Sequence, residues 1–221
     1  MPEMIKVNAI LSDWFGVLHN DHQADYERSA RIRDSLDKPP EQIAALNLAL
    51  DEGRIGIDDF FRLYGQALTD MGISSVDPAR VREQMYAQAY FLDKNLGFLA
   101  TIASEVDNVP LVLVSNAHPD AINPLLDNQF NNGEEIFTPR ELFDDLVISG
   151  VEGVSKPHPE IYRIGLERAG NPSPETTLFI DDNKDNLQTA KDLGVLTLHS
   201  VEPDDIAPNL IIVDNQLYLN S

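Results

Sequence analysis

Five short, mainly apolar runs rich in Val, Ile and Leu restrict the folds that this chain can adopt. They lie at residues 7–11, 111–114, 146–149, 178–180 and 195–198. Continuous apolar runs, as opposed to alternating ones, are typical of strands that are buried on both faces of a parallel sheet. Segments with helical spacing separate the last four runs; one of them carries Ile161 and Ile164 and stops at Gly170. We therefore predict a doubly wound, mostly parallel α/β sheet.

Residues 20–92 interrupt this alternation, because they contain no convincing strand. Their apolar residues follow three helical stripes: Ile43, Leu46 and Leu50, then Ile57, Phe60, Phe61, Tyr64 and Leu68, then Val81, Met85 and Ala89. About four helices are expected between the first and second strands. We predict an α/β core domain at 1–18 and 93–221 and an all-α inserted domain at 19–92. A further apolar run at 210–213 predicts an edge strand.

The composition excludes several classes of protein. The chain has 37 acidic against 16 basic side chains, a formal net charge of −21, and no cluster of Lys and Arg. Nucleic acid and anionic membranes attract clustered basic residues, so neither is an expected partner. The absence of cysteine excludes disulfide scaffolds, thiolate metal sites and cysteine nucleophiles. No apolar run reaches the roughly 18 to 20 residues of a membrane span, and no signal peptide is evident. We expect a soluble, cytoplasmic protein that is a monomer or a homodimer.

Polar residues follow four of the predicted strands. They are Asp13 after the first, Ser115 and Asn116 after the second, Lys156 a few residues after the third, and Asp181 and Asp182 after the fourth. In open α/β sheets, ligands bind beyond the carboxyl ends of the strands. Carboxylates there suit Mg²⁺, while a lysine and a serine hydroxyl suit phosphate oxygens. Each residue alone also fits a helix cap, a turn or a solvated charge, so it is their order at successive strand ends that indicates a site.

With these residues in this order, the chain resembles the haloacid dehalogenase-like (HAD) hydrolase superfamily over nearly its whole length. The four matching motifs are Asp13-Trp14-Phe15-Gly16-Val17, Ser115-Asn116, Lys156 within Ser155-Lys156-Pro157-His158-Pro159-Glu160, and Asp181-Asp182 within Phe179-Ile180-Asp181-Asp182-Asn183. The inserted helices are similar to the helical cap of that family. The resemblance implies a phosphatase or phosphotransferase that uses Mg²⁺, forms an aspartyl phosphate and acts on a small phosphorylated metabolite.

The same resemblance implies a role for each motif residue. Asp13 is the expected nucleophile. The expected Mg²⁺ ligands are Asp13, Asp182 and the backbone carbonyl of Phe15, with Asp181 acting through a water molecule. The residues expected to bind the phosphoryl group are Ser115, Asn116 and Lys156, and Ser115 and Lys156 are also expected to be catalytic. A carboxylate attacks a phosphate dianion readily only when its charge is neutralised, which the metal and the lysine do.

Position 15 departs from the family pattern. Most phosphatases of the family have an Asp there, which protonates the leaving group and later activates water, whereas this chain has Phe15. Such general acid and base help contributes about 10²- to 10⁴-fold to a rate. One interpretation is a phosphatase that uses another proton carrier. His19, His22 and His118 are candidates by sequence position, and His19 is the best placed of the three.

Two further interpretations stay open. A metal-independent 2-haloacid dehalogenase has an aromatic Tyr at the position of Phe15, but Asp181 and Asp182 would crowd its nucleophile with uncompensated charge. A regulatory protein would keep the Mg²⁺ and phosphate site and turn over poorly. A phosphonoacetaldehyde hydrolase has a Schiff-base lysine in its cap. This interpretation is disfavoured, since the only lysine between residues 20 and 92 is Lys38, which is followed by two prolines. The residues expected to serve in packing are Trp14, Phe60, Phe61 and Tyr64.

Overall fold

A computed structural model describes residues 4–21, 23, 41–72, 77–131, 133, 136–201 and 205–220. The strands are β1 Met4–Val7, β2 Ala9–Ser12, β3 Leu111–Ser115, β4 Phe130–Asn131, β5 Ile136–Phe137, β6 Asp145–Ile148, β7 Thr177–Asp181, β8 Leu196–His199, β9 Leu210–Val213 and β10 Gln216–Asn220. The α-helices are α1 Glu41–Asp51, α2 Ile57–Asp70, α3 Pro78–Tyr86, α4 Asp93–Glu105, α5 Pro119–Leu126, α6 Ser149–Glu152, α7 Pro159–Arg168 and α8 Lys184–Asp192. Short 3₁₀ turns lie at Pro139–Leu142, Pro174–Thr176 and Ala207–Asn209.

The central sheet consists of five parallel strands in the order β6-β3-β2-β7-β8. Strand β2 lies in the middle, where Ser12 pairs with Leu113 of β3 on one side and with Ile180 of β7 on the other. All residues of these three strands are buried. Each of the five runs at 7–11, 111–114, 146–149, 178–180 and 195–198 contributes a strand to this sheet, so the α/β prediction is confirmed.

Helices cover both faces of the central sheet. Leu99 of α4 and Ile122 of α5 belong to one buried apolar cluster, which also contains Ile10 of β2. Tyr162 of α7 belongs to a second cluster, which contains Leu11 of β2. Neighbouring residues of one strand thus enter different clusters, because successive side chains point to opposite faces. Burial on both faces is the reason that the strand sequences are continuously apolar.

A second, antiparallel sheet corrects two expectations. It has the order β1-β10-β9 and includes the run at 210–213, which is therefore not an edge strand of the central sheet. The predicted strand at 7–11 is interrupted at Asn8, so that β1 joins the second sheet and β2 the first. Asp214 and Asn215 form the two-residue turn between β9 and β10 with φ values of 49° and 57°, as a tight hairpin requires.

Helices α1, α2 and α3 lie between β2 and β3 in the chain and bury a third apolar cluster. Its buried members, which include most of the predicted stripes, are Ile43, Leu50, Ile57, Phe60, Phe61, Tyr64, Ala67, Leu68, Val81 and Met85. Ala89 follows the end of α3, so the third stripe is shorter than predicted. The predicted number of helices also depends on residues 24–40, which lie outside the described residues. None of the helices in the described part of the chain has the length and apolar character needed to cross a bilayer.

The two chain segments that join these helices to the core run side by side. The N–H of Leu92 donates to the carbonyl of Leu18 at 2.9 Å, and the N–H of Asn20 donates to the carbonyl of Tyr90 at 3.0 Å. The side chain of Asn20 accepts a further hydrogen bond from the N–H of Tyr90. The crossing therefore falls close to the predicted boundaries at residues 18 and 93, although the division into 1–18 with 93–221 and 19–92 stays a prediction.

Candidate active site

Three predicted site residues meet at the carboxyl ends of neighbouring strands. Asp13 directly follows β2, Ser115 ends β3, and Asp181 ends β7. Because β2 lies between β3 and β7, these ends share one edge of the sheet. The N–H of Asp13 donates to the carbonyl of Ile180 at 2.9 Å, which holds Asp13 against the end of β7. Asp13, Ser115 and Asp181 are all buried.

Lys156 joins two of these carboxylates. Its Nζ lies 2.7 Å from Oδ1 of Asp13 and 2.8 Å from Oδ2 of Asp181, and its side chain is 1% exposed. The side-chain amide of Asn116 fixes the main chain of Lys156 from both sides, because Nδ2 donates to its carbonyl at 2.9 Å and Oδ1 accepts from its N–H at 2.7 Å. The described geometry thus makes Asn116 a positioning residue, while its expected contact with substrate stays a prediction.

Asp181 is held by more donors than Asp13. Besides Lys156, the N–H of Asn183 donates to Oδ1 of Asp181 at 2.7 Å, and Nδ2 of Asn186 donates to both carboxylate oxygens at 3.0 and 3.2 Å. A carboxylate with this many partners is restrained in position. The expectation that Asp181 acts on a metal through water stays a prediction.

The carboxylates of Asp13, Asp181 and Asp182 form one cluster, in which a ligand atom from each lies within 4.8 Å of the others. Burial raises the pKa of Asp13 to about 8; Lys156 opposes this shift, and Asp181 and Asp182 add to it. Burial and the charge of Asp181 raise the pKa of Asp182 to about 6. Burial disfavours the charge of Lys156, but Asp13 and Asp181 outweigh it and raise the pKa of Lys156.

Among the described residues, three acids are opposed by one ammonium, so their part of the site is short of positive charge. Oxygen ligands in such a cluster suit a hard divalent cation, which would restore the charged forms of Asp13 and Asp182. Gly16 adds a second indication, because its φ is +80° and a Cβ placed there would lie 2.4 Å from Oδ2 of Asp182. Only glycine lets the loop after Asp13 approach Asp182 so closely. The residues present therefore fit a divalent cation.

We expect Gly16→Ala to weaken metal binding without unfolding the protein. The added methyl group must displace the carboxylate of Asp182, since the two would otherwise be 2.4 Å apart. The Kd for Mg²⁺ should rise at least about tenfold, which is equivalent to a loss of about 1.4 kcal/mol of binding free energy. Isothermal titration calorimetry measures it directly.

Gly170→Ala is the matched control for this substitution. Gly170 has a similar φ of +85°, but a Cβ there meets no atom within 4 Å. Backbone strain should therefore be similar in the two variants, while metal binding should change only at position 16. Equal metal affinity in both variants would contradict the role given to Gly16.

The hydroxyl of Ser115 is available to a ligand. Its Oγ is buried and has no hydrogen-bond partner among the described residues. A buried polar group without a partner costs about 1 to 3 kcal/mol, so an incoming oxygen would be stabilised by this donor. Ser115 lies at the end of β3, and Asp13 directly follows the neighbouring strand β2, so the hydroxyl lies at the sheet edge where a phosphoryl oxygen is expected.

A cavity of about 230 Å³ lies between this edge of the sheet and the inserted helices. Phe15 and Asn116 line it from the core, and Asp51, Phe60 and Phe61 line it from α1 and α2. The two phenylalanines are also buried in the cluster of the inserted helices, as predicted for packing residues. They therefore have a second role that the helical stripe does not indicate, which is to form a wall of the cavity.

The three candidate histidines have different positions. His19 is buried; its ring stacks on Trp14 with centroids 5.6 Å apart, and its Nδ1 lies 2.8 Å from the carbonyl of Asn20. Burial also lowers the pKa of His19. The expectation that His19 is the best-placed proton carrier is therefore wrong, whereas the packing role of Trp14, which is 0% exposed, is confirmed. His118 lines the cavity, and His22 lies outside the described residues.

Asp51 is a cavity residue that the sequence patterns do not single out. It is the last residue of α1 and is partly buried, and burial raises its pKa to about 7 against the opposing effect of Lys156. One signal was present in the sequence. Helix C-termini favour basic residues, whereas this helix ends at Asp51 and is followed by Glu52.

The chain belongs to the HAD-like hydrolases. The model of the haloacid dehalogenase-like hydrolase family matches residues 7–194, a range that includes all four motifs and the inserted helices. Family membership agrees with the parallel sheet and with the convergence of Asp13, Lys156 and Asp181 at its edge.

Curated relatives match shorter segments. The chain is 35% identical over 89 residues to acyl-CoA dehydrogenase family member 10 of Mus musculus, covering 39% of this chain and 8% of the relative. It is 38% identical over 56 residues to glyceraldehyde 3-phosphate phosphatase of Methanocaldococcus jannaschii, covering 25% of each. It is 36% identical over 75 residues to a pyrimidine 5'-nucleotidase of Escherichia coli, covering 31% of this chain and 33% of the relative. The chain thus spans a third or less of each of these relatives.

Solved structures match most of the chain. A HAD family enzyme of Bacteroides thetaiotaomicron aligns with a TM-score of 0.67 and 22% identity over 88% of this chain and 93% of that one. The same enzyme is known in complex with magnesium and inorganic phosphate. L-2-haloacid dehalogenase of Xanthobacter autotrophicus aligns with a TM-score of 0.56 and 20% identity over 87% and 77%. At these identities the likeness establishes the fold.

Proposed function

We propose that this hydrolase cleaves small phosphate monoesters in a Mg²⁺-dependent reaction in which Asp13 is transiently phosphorylated. The observation that carries the proposal is the position of the buried Lys156, 2.7 Å from Asp13 and 2.8 Å from Asp181 within the cluster of three carboxylates. An ammonium and a divalent cation beside a carboxylate are what attack on an anionic phosphate needs. A phosphatase and a nucleotidase among the relatives, and a structural neighbour that binds magnesium and inorganic phosphate, support this substrate class.

The proposed Mg²⁺ ligands are Asp13, Asp182 and the backbone carbonyl of Phe15, with Asp181 acting through water. When bound, the ion neutralises negative charge on the carboxylates and on the phosphate. The close approach of Gly16 to Asp182 and the raised pKa of Asp13 both support a cation at this place.

One oxygen of Asp13 is positioned for attack. The N–H of Trp14 and the Nζ of Lys156 both lie 2.7 Å from Oδ1. No described residue is bonded to Oδ2, so Oδ2 is the proposed nucleophilic atom. The hydroxyl of Ser115 would donate to a phosphoryl oxygen, and Lys156 would balance the charge that Asp13 shares with the phosphate. Most of the rate enhancement in phosphoryl transfer comes from positioning and charge stabilisation of this kind.

The second candidate function is 2-haloacid dehalogenation. The aromatic Phe15 and the fold of L-2-haloacid dehalogenase favour it. The cluster of Asp13, Asp181 and Asp182 disfavours it, because a carboxylate substrate would meet two further acids, and Lys156 is the only described cation that contacts the cluster. A regulatory protein that binds Mg²⁺ and phosphate is the third candidate. The intact Asp13 argues against this third candidate, because a nucleophile serves turnover.

We expect removal of divalent metal to abolish phosphate release. p-Nitrophenyl phosphate is a suitable first substrate, because its leaving group departs without protonation. Dialysis against EDTA should reduce hydrolysis to the level without enzyme, and added Mg²⁺ should restore it. Mg²⁺ should also raise the melting temperature, since a ligand at about 100 times its Kd stabilises a protein by about 2.7 kcal/mol.

The same assay distinguishes the three candidate functions. Metal-independent release of chloride from 2-chloropropionate, without release of phosphate, would identify a dehalogenase. Thermal stabilisation by Mg²⁺ without turnover of any phosphate ester would identify a binding protein. Either outcome would contradict the proposed phosphatase.

A further inference from the structure

The cavity that Phe15 and Asn116 line contains a carboxylate that the family pattern does not provide. Phe15 occupies the position of the usual acid and base, and it lines this cavity together with Asp51. We propose that Asp51 of α1 donates the proton to the leaving-group oxygen and then takes a proton from the water that releases phosphate. This inference rests on the proposed phosphatase function. It assigns the proton transfers to a residue of the inserted helices.

The end of α1 is attached to the core in three places. The hydroxyl of Ser149 donates to the main-chain carbonyl of Asp51, and it also accepts from the N–H of Ala117 at 2.9 Å. The hydroxyl of Ser155 lies 3.4 Å from a carboxylate oxygen of Glu52.

At the third attachment, Gly53 approaches the core so closely that a Cβ there would lie 2.4 Å from the carbonyl of Gly150. Ala117 and Ser155 are neighbours of the phosphate-site residues Asn116 and Lys156 in the chain. Asp51 is therefore held at a defined place beside that site, although it belongs to an inserted helix.

The surroundings of Asp51 favour its protonated form near neutral pH. Burial raises the pKa of Asp51 to about 7, Lys156 opposes the shift, and Asp21 and Glu52 add to it. The C-terminal end of α1 also disfavours a negative charge on its last residue. The other titratable side chains that line the cavity are Asp21, Tyr86 and His118. No described residue bonds to the carboxyl group of Asp51, so this group can reach a ligand in the cavity.

The two proton transfers balance. As a bond forms between Oδ2 of Asp13 and phosphorus, the bond from phosphorus to the ester oxygen breaks, and that oxygen takes the proton of Asp51 to leave as an alcohol. Asp51 is then a carboxylate. It accepts a proton from a water molecule whose oxygen attacks the phosphorus, which returns Asp13 as a carboxylate and releases inorganic phosphate. Asp51 is protonated again, and one water molecule has been consumed.

His118 is the strongest competitor for this role. It lines the same cavity, but its Nδ1 accepts from the N–H of Asp120 at 3.2 Å and so caps the start of α5. Asp21 also lines the cavity, but it is exposed, whereas Asp51 is partly buried. Asp51 combines attachment to the core with a pKa suited to both steps.

Substrates that differ in leaving group test the proposal. We expect Asp51→Asn to lower kcat/KM for phenyl phosphate by about 10²- to 10⁴-fold, because the phenolate ion is a poor leaving group unless it is protonated. The kcat/KM for p-nitrophenyl phosphate, which does not include the later hydrolysis of phosphorylated Asp13, should fall by less than about tenfold, since this leaving group needs little protonation. The rise in kcat/KM for phenyl phosphate toward lower pH, which a protonated acid produces, should be absent in the variant.

Asp70→Asn is the matched control. Asp70 is also the last residue of an inserted helix, but it is exposed and lies outside the cavity. This control should hydrolyse both esters as the unmodified protein does. The ratio of the two rates within one variant does not depend on the fraction of folded protein, so partial unfolding of Asp51→Asn cannot imitate the result.

Two outcomes would overturn the proton-transfer role of Asp51 without affecting the proposed phosphatase function. An equal fall for both esters would give Asp51 a structural or binding role, and no fall for either would remove it from the reaction. In both cases, hydrolysis of p-nitrophenyl phosphate that depends on Asp13 would leave the proposed phosphatase function standing. Absence of any Asp13-dependent hydrolysis in the unmodified protein would overturn both proposals together.

Discussion

Asp13→Asn is expected to abolish phosphate release while leaving the protein folded. The amide has nearly the same shape as the carboxylate, but it is uncharged and far less nucleophilic. Hydrolysis of p-nitrophenyl phosphate should fall by at least about 10³-fold, because loss of a covalent nucleophile removes the reaction path itself. Steady-state phosphate release measures the effect, and Asp70→Asn serves again as the control.

Although Asp13→Asn should lose activity, its free energy of unfolding without metal should not fall. The pKa of Asp13 is raised from 3.8 to about 8 in the folded protein. A carboxyl group with a raised pKa destabilises the fold as pH rises between its unfolded and folded values, since the unfolded chain ionises first. Asp13→Asn should therefore be at least as stable as the unmodified protein without metal above about pH 8, where this destabilisation is fully present. It should gain less stability from Mg²⁺.

Chemical denaturation with and without Mg²⁺ checks this pair of expectations. A variant that released phosphate at the unmodified rate would show that another group is the nucleophile. A variant with normal stabilisation by Mg²⁺ would show that Asp13 is not a metal ligand. The two measurements thus separate the two roles proposed for the same carboxylate.

The central sheet could be predicted because its signals are local. Residues 111–114 and 178–180 are buried on both faces and are therefore apolar at every position. The second sheet could not be predicted in the same way. Strand β1 pairs Met4 with Asn220, so its hydrogen bonds join residues from opposite ends of the chain. With four residues in β1 and partial exposure along it, little of the pattern remains to be recognised.

The site shows the same division between local and tertiary information. Asp13, Lys156 and Asp181 could be predicted because each follows a recognisable strand within a motif. Asp51 could not, because its importance depends on the attachment of α1 to Ser149, a residue 98 positions away. The role predicted for His19 is wrong for a related reason. Its closeness to the first motif in sequence does not reveal that its ring packs beneath Trp14.

Expectations that rest on composition alone stay predictions. The acidic net charge of −21 still argues against nucleic acid and membranes as partners. Cytoplasmic location and the choice between monomer and homodimer also stay predictions. The local charge balance is more informative than the total, because three acids and one lysine at the sheet edge indicate a cation site.

Lys156→Met should be the most destabilising of the substitutions considered, and it should also abolish activity. Lys156 has a side chain that is 1% exposed and contacts two carboxylates, so its removal takes away the positive charge that the described residues place beside them. Breaking a buried ion pair in this way costs about 3 to 5 kcal/mol. Methionine fills most of the same volume, which keeps the loss of packing small. Urea unfolding at about pH 8 and about pH 5 measures the effect.

The pH dependence of this loss reveals its cause. At the lower pH, Asp13 and Asp182, with pKa values of about 8 and 6, can be protonated in the folded protein, so the missing ammonium matters less. The destabilisation should therefore be greatest at high pH, and Mg²⁺ should reverse part of it. Adding Asp13→Asn to Lys156→Met removes one carboxylate together with the ammonium, so the double variant should be more stable than Lys156→Met alone. Additive effects, equal at both pH values, would mean that Lys156 stabilises the fold by packing and not by charge.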